Sequence, residues 1–388
     1  MEEYSLVTPG HAPPMDTLIA LGIVAAVLDA CPEANVSVWR EGSRYRIRLK
    51  GHIDRGGLLE CVLNTLRFEA EYAAMTGEGK FAYARMPQPA MRVELLREIA
   101  DDLELEGTDP LIAYSRPEHA LTRGEGRAGK SRSKRLRVAH VQIAPWAGKY
   151  ITSAKEGEGT YFYAETEYVA CPLCLALAWM GLLKATAVIA ARHKKSIRVF
   201  YVAPDPIRMN MPDLALLLLV FGEKYELIPC EGPPLLAAPL LPLASGETLH
   251  PLKGGCRITV WEHARTGQFI GIRGLASLPL RPLLEFIAKA KSEGRYLPAL
   301  VEDLRFSDPS LLAEIVECLV FGEPDPYSVV RDLWSQLSRD KRRERLRWLE
   351  QGMVDALFKV WARRHGASGG HGARTPRHTP YSVAGLGS

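Results

Sequence analysis

The longest apolar run in the chain, fifteen residues from Val169 to Leu183, is the feature that most constrains the fold. It is shorter than the eighteen or so residues needed to span a bilayer, so it predicts a buried helix and no membrane span. Lys184 ends the run. With 47% apolar and 24% charged residues, the 388-residue chain has the composition of a core-forming protein, which excludes a disordered or collagenous one.

The N-terminal third of the chain predicts a mixture of helices and strands. A helix is expected to begin near Asp16, where prolines precede an apolar stretch. Alternating apolar residues from Val36 to Arg40 and from Tyr45 to Leu49 predict a hairpin. Helical periodicity then follows at Leu58 to Ala74 and at Met91 to Leu105.

The central region continues this mixture. The strongly apolar residues from Leu173 to Ala191 predict a helix, and Ile197 to Ala203 predict a buried strand. The stretch from Pro229 to Pro251 contains six prolines and predicts an irregular connection. A second hairpin is expected between Val260 and Ile272.

The residues after Pro282 are helical in pattern, with segments that predict a C-terminal bundle. The fold class is therefore α+β, with an N-terminal and central mixed α/β body followed by a helical bundle. The expected regions are an α+β region at 1–122, a flexible basic loop at 123–137, a mixed region at 138–280, a bundle at 281–365 and a disordered tail at 366–388.

The pentapeptide LVFGE occurs twice, at Leu219 to Glu223 and at Leu319 to Glu323. Both copies end an apolar helical stretch with Phe followed by Gly. Glycine at this position relieves the strain of a left-handed helix cap, so the pattern predicts the same cap at both places.

Charge is distributed unevenly along the chain, although the net charge is only +4. Residues 123–137 hold seven basic side chains and one acid, and residues 338–364 hold nine basic side chains and four acids. Lysine and arginine neutralise phosphates, so these two islands predict nucleic-acid contact. The candidate residues are Arg123, Arg127, Lys130, Arg132, Lys134, Arg135, Arg137, Arg342, Arg343 and Arg347.

Catalytic motifs are sparse. Gly124 to Ser131 matches the phosphate-loop pattern GxxxxGK[ST], but no apolar strand precedes it and no apolar helix follows it, so a flexible basic loop is favoured. Cys171 and Cys174 form a CxxC at the entry of the apolar helix, which favours capping or packing over zinc binding or redox chemistry. No catalytic residue, metal or cofactor is predicted.

The compartment is expected to be the cytoplasm. The N-terminal residues lack the pattern of a secretory signal, and seven scattered cysteines do not suggest a disulfide framework. Only eight residues are Asn or Gln, and this depletion favours a thermophilic source, although genomic base composition is an alternative explanation.

The opening residues Pro14 to Ile23, the hairpin after them, the Cys171 to Leu183 helix and the helical C-terminal third resemble an archaeal family. That family is the large subunit of the subtype I-A CRISPR effector complex, the Cascade surveillance particle. The resemblance extends over residues 8–360 and rests on loose pattern rather than on one motif.

The resemblance implies a non-catalytic subunit that lies near the 5′ handle of the guide RNA. It implies recognition of the protospacer-adjacent motif in double-stranded target DNA, help in opening the duplex, and recruitment of helicase and nuclease components alongside the other subunits. In RNA-guided systems base pairing reads the sequence, while protein reads a short motif and the backbone.

Two other functional classes remain open. One is a nucleic-acid-processing enzyme that uses zinc at Cys171 and Cys174 or a nucleotide at Lys130. The other is a scaffold whose basic islands bind acidic partner proteins.

Overall fold

The computed structural model describes most of the chain at the level of secondary structure. The described residues are 2–11, 14–88, 91–115, 122–123, 145–146, 154–157, 160–163, 168–245, 252–266, 269–293, 297–339 and 353–365.

Thirteen α-helices occur among the described residues. They are α1 Met15–Ala30, α2 Arg55–Thr76, α3 Lys80–Arg85, α4 Leu95–Glu106, α5 Pro110–Ala113, α6 Pro172–Ala185, α7 Met211–Gly222, α8 Leu240–Ser245, α9 Leu280–Glu293, α10 Leu297–Ser307, α11 Pro309–Phe321, α12 Pro326–Arg339 and α13 Val354–His365.

Twelve strands occur in the same part of the chain. They are β1 Glu2–Val7, β2 Asn35–Glu41, β3 Arg44–Gly51, β4 Thr122–Arg123, β5 Ala154–Gly157, β6 Thr160–Tyr163, β7 Tyr168–Val169, β8 Ala187–His193, β9 Ser196–Asn210, β10 Tyr225–Ile228, β11 Gly255–Thr266 and β12 Phe269–Pro279.

Eight of these strands form one sheet in the described structure, with the main order β1-β3-β2-β9-β11-β12. The long strand β9 connects the N-terminal strands to the rest of the sheet. Its last residues, around Asn210, pair with β2, and its earlier residues pair with β8 and β11. Strand β10 completes the sheet by pairing in parallel with β8. Strands of the expected regions 1–122 and 138–280 therefore share a single sheet, and the division between those regions stays a prediction.

Helices α1 and α6 pack closely at the centre of the core. Every residue of α1 from Met15 to Val27 is buried. A Cβ atom on Gly22 would lie 2.0 Å from the carbonyl oxygen of Leu177, and one on Gly181 would lie 2.0 Å from that of Leu18. Such a distance requires glycine at both positions. Helix α6 holds most of the longest apolar run, and its residues from Leu173 to Leu183 are buried. The prediction that this run forms a buried helix is therefore confirmed.

The predicted helix from Leu173 to Ala191 is wrong in its last third. Helix α6 ends at Ala185, and β8 begins at Ala187. Pairing of β8 with β9 on one side and β10 on the other satisfies its backbone, and β-branched Val188 and Ile189 suit a strand. In a run that is apolar throughout, tertiary pairing decides between helix and strand.

The proline-rich stretch from Pro229 to Pro251 is more regular than predicted. It contains a short 3₁₀ helix at Leu235–Ala237 and then α8. Leu240 and Leu243 are buried, so burial of leucine side chains favours a helical turn between the prolines.

The two copies of LVFGE end their helices differently. Gly322 has φ of +90°, and its N–H bonds to the carbonyl of Cys318, so the predicted left-handed cap is confirmed there. Gly222 is instead the last residue of α7, and a Cβ on it would lie 2.1 Å from the carbonyl oxygen of Lys184. The cap predicted at Gly222 is therefore wrong, because this glycine allows α6 and α7 to approach each other.

The other main elements agree with expectation. The hairpins β2–β3 and β11–β12 are present, and helices α9 to α13 form the predicted C-terminal helical region. The α+β fold class is confirmed. Within the described ranges, none of the helices combines the length and the apolar character that crossing a membrane requires.

Candidate nucleic-acid interface

The candidate residues chosen by local charge density lie mostly outside the described residues. Arg123 belongs to β4, whose backbone pairs with Tyr168 of β7. The other nine lie outside the described residues: Arg127, Lys130, Arg132, Lys134, Arg135, Arg137, Arg342, Arg343 and Arg347. The phosphate-loop match at Gly124 to Ser131 also lies outside the described residues. These assignments therefore stay predictions.

The CxxC has the capping and packing roles that its position predicts. The Sγ of Cys171 caps α6 by accepting from the backbone N–H of Cys174 at 3.4 Å. The Sγ of Cys174 is fully buried and lies 2.9 Å from the hydroxyl of Tyr114. Burial raises the pKa of the Cys174 thiol well above its usual value, which disfavours the reactive thiolate.

The exposed side of strand β3 is a row of cations. The sequence RYRIRLK alternates, so Tyr45, Ile47 and Leu49 point into the core and are at most 1% exposed. The intervening side chains, Arg46, Arg48 and Lys50, are 38%, 46% and 46% exposed. In a strand, alternate residues are about 7 Å apart, so these cations form an evenly spaced line.

Neighbouring strands extend this row across the sheet. Trp39 of β2 lies directly opposite Arg46, and Arg208 of β9 lies opposite Trp39 on its other side. The row through Arg48 places Ser5 on one side and Ser37 on the other. We call this surface the cationic sheet face; it comprises Ser5, Ser37, Trp39, Arg46, Arg48, Lys50 and Arg208.

Two glutamates hold these cations in place. Arg46 makes a two-pronged pair with Glu41, with both N···O distances 2.9 Å. Hydrogen bonds from Arg46 and from the indole of Trp39 lower the pKa of Glu41, so it stays ionised. Glu3 lies 3.3 Å from Arg48 and 3.6 Å from Lys50. Exposed pairs of this kind contribute only about 0–1 kcal/mol, so a phosphate can compete for the cations.

An aromatic ring also belongs to the face. The guanidinium of Arg48 lies 5.4 Å from the centre of the Trp39 ring. This contact orients Arg48, whose Nε also lies 3.3 Å from the carboxylate of Glu3. Arg208 is exposed and has no carboxylate partner among the described residues. Arginines, an indole ring and serine hydroxyls together suit the phosphates, sugars and bases of a nucleic acid.

These cations are not among the residues that charge density predicts, because apolar residues separate them along β3. The signal that identifies them is the alternation in the predicted hairpin. Their open position depends on the pairing of β2 with β9, and the sequence does not reveal that pairing.

Lys80, at the start of α3, is buried, unlike the exposed basic residues of the cationic sheet face. It is 4% exposed, and its Nζ lies 2.5–3.3 Å from four main-chain carbonyl oxygens. These belong to Leu183, Thr186, Phe221 and Gly222. They lie at the carboxyl ends of α6 and α7, where a positive charge is favourable. Burial lowers the pKa of Lys80 to about 7, and the carbonyl oxygens favour its charged form.

Metal ligands can be considered only within the described ranges. There, the structure has no group of three or more His, Cys, Asp or Glu side chains placed to hold a metal ion.

Two comparisons identify the family. The family model described as "CRISPR-associated protein (Cas_Csa4)" matches residues 4–355. A protein of Thermoproteus tenax described as "CRISPR system associated protein Cas8" is 26% identical over 375 residues, which cover 92% of this chain and 98% of that protein. These matches confirm the resemblance that the opening residues and the helices indicate. The chain therefore belongs to the Cas_Csa4 family of CRISPR-associated proteins, a type I-A large-subunit family.

Proposed function

We propose that the protein is the non-catalytic large subunit of a guide-RNA surveillance complex and that its cationic sheet face holds a nucleic-acid backbone in that complex. The observation that carries this proposal is the line of Arg46, Arg48 and Lys50 on the open side of the sheet. Family membership supplies the setting, a complex of several subunits. The nucleic acids there are the guide RNA and the double-stranded target DNA.

The chemistry of the face favours backbone contact over base reading. Specific base recognition needs donors and acceptors arranged to match base edges, whereas phosphate contact needs mainly positive charge. The face offers a line of charge with hydroxyl groups beside it and one ring, Trp39, that can stack on a base or sugar.

Recognition of the protospacer-adjacent motif and duplex opening form a second part of the proposal. We assign them to the basic island at residues 123–137, together with Arg342, Arg343 and Arg347, on the basis of charge alone. Replacing Arg132, Lys134, Arg135 and Arg137 by Gln should weaken duplex binding by the assembled complex. Unchanged binding would contradict this assignment.

The sheet face is tested by a triple variant, R46Q/R48Q/K50Q, in the reconstituted complex. Loss of three phosphate contacts should weaken target-duplex or guide-RNA binding by about 10–100-fold at physiological salt. The matched control R92Q/R97Q/R331Q also removes three exposed arginines, but outside the face, and should bind within about twofold of the parent. Binding of both nucleic acids by the triple variant as tight as by the control would contradict the proposal.

A further inference from the structure

A groove in the C-terminal half combines an apolar floor with a basic rim. It has a volume of about 970 Å³ and lies between the start of β11, helix α9 and helix α13. Its floor includes Ile207, Leu280, Leu284 and Val360. Ile207 is 44% exposed, so part of this apolar surface is open to solvent.

The length of the groove matches a helix. Its wall on α9 includes Arg281, Leu284, Ala288 and Ser292. These recur every three or four residues, so they lie on one face of α9 over about 16 Å. Ala288 and Ser292 are small, which lets a second helix approach the α9 backbone closely.

The rim of the groove is cationic. Its basic residues are Lys253, Arg257, Arg281, Lys289 and Arg363. Among the described lining residues Glu285 is the one acid, and it pairs with Arg281 at 2.8 Å. Lys253 and Arg363 are exposed and have no carboxylate partner within the described ranges. The rim therefore complements an acidic occupant.

The floor of the groove distinguishes between kinds of acidic occupant. A nucleic acid would place charged phosphates or bases there, and the part of the lining that the structure describes includes no aromatic ring on which a base could stack. An amphipathic helix instead buries apolar side chains in the floor and presents carboxylates to the rim.

The two segments of the chain that flank α13 have the wrong charge to be the occupant. Residues 366–388 contain Arg374 and Arg377 and no acidic residue. Residues 340–352 contain five basic and three acidic residues. Both are net positive and would be repelled by the rim.

We infer that this groove docks an acidic amphipathic helix from another protein subunit of the complex. The helix lies along α9, with apolar residues on the floor and carboxylates facing Lys253 and Arg363. The inference concerns a protein partner and does not depend on the cationic sheet face.

A photo-crosslinker tests it in the assembled complex. p-Benzoylphenylalanine at Ser292, at the exposed end of the groove wall, should crosslink to a segment of another subunit with acidic residues at helical spacing. The same group at Arg331, an exposed position on α12, is the control. A crosslink to nucleic acid or to this chain, or a yield no higher than the control, would overturn the inference.

Charge reversal supplies a second measurement. K253E/R363E should lower the Ser292 crosslink by at least about fivefold, whereas R92E/R97E should leave it unchanged. If K253E/R363E unfolds, K253Q/R363Q is used with the same expectation. An undiminished crosslink would contradict the docking mode. R46Q/R48Q/K50Q leaves the groove intact and should therefore keep the crosslink. A failure of the sheet-face proposal can thus be told apart from a failure of the groove proposal.

Discussion

Lys80 and the cationic sheet face place basic side chains in opposite surroundings. Lys80 is 4% exposed, and its acceptors are carbonyl oxygens at the ends of two helices. Arg46, Arg48 and Lys50 are 38–46% exposed, and their partners in the protein are exposed carboxylates. The position of the acceptors decides the role of a cation: buried acceptors make it part of the fold, and weak exposed partners leave it able to bind a ligand.

The largest effect is expected from Lys80→Met, which tests the first half of this comparison. The substitution removes a donor from four carbonyl oxygens at two helix ends, and of these the oxygen of Phe221 still accepts from the backbone N–H of Lys224 at 3.4 Å. Unpaired buried acceptors cost about 1–3 kcal/mol each, so the free energy of unfolding should fall by at least about 3 kcal/mol. Chemical denaturation of the purified chain measures this fall.

Lys184→Met is the matched control for Lys80→Met. Lys184 belongs to α6, is 43% exposed and pairs with Asp29 at 3.1 Å. Its replacement should change the free energy of unfolding by no more than about 1 kcal/mol. Equal losses in the two variants would show that burial does not separate the two kinds of cation.

A smaller loss is expected from Gly222→Ala, which disturbs the acceptors of Lys80 instead of the cation. Its Cβ would lie 2.1 Å from the carbonyl oxygen of Lys184, so α6 and α7 must move apart. The expected destabilisation is about 2–3 kcal/mol, as for overpacking at a tight contact. Gly77→Ala, at the left-handed cap of α2, where an added Cβ would meet no described atom within 4 Å, should cost about 1–2 kcal/mol. A smaller loss for Gly222→Ala than for Gly77→Ala, measured by denaturation, would contradict the close-packing role.

His263 is a second buried base, and its titration should make the stability of the fold depend on pH. Its Nε2 lies 3.4 Å from the amide nitrogen of Gln88, and its Nδ1 has no hydrogen-bond partner in the part of the chain that the structure describes. Burial lowers the pKa of His263 from 6.5 to about 4. The unfolded chain therefore binds a proton more tightly than the folded one between these values, so stability is lost as pH falls below about 6.5. Between pH 7.5 and pH 5 this group should account for about 2 kcal/mol.

The test of this pH effect compares the parent with His263→Leu at both pH values. The variant should lose less free energy of unfolding than the parent on acidification, by about that amount. Parallel pH profiles would show that His263 protonates freely in the folded state.

The periodicity of apolar residues was enough to predict the elements whose structure depends on residues close together in the sequence. The alternation around Tyr45, Ile47 and Leu49 predicts the hairpin, and the periodicity before Thr76 predicts α2. The strand Ala187–His193 escapes such prediction, because its identity depends on pairing with β9 and β10. Lys80 escapes it too, since its acceptors lie more than 100 residues away.

The two candidate surfaces show the same division. The cations of the sheet face are visible as an alternation in the sequence, but their shared open surface requires the register of β2 with β9. The groove beside α9 requires α13 and the start of β11, which are about 100 residues apart in the sequence. The islands at 123–137 and 338–364, by contrast, are visible from charge density alone.

The salt dependence of nucleic-acid binding tests the central claim most directly, because it counts the phosphates that the cationic sheet face neutralises. The affinity of the assembled complex would be measured across salt concentrations for the parent, for R46Q/R48Q/K50Q and for R92Q/R97Q/R331Q. The account predicts that the slope of log affinity against log salt becomes shallower by about 2–3 in the first variant only. A slope in R46Q/R48Q/K50Q equal to that of the parent would contradict it.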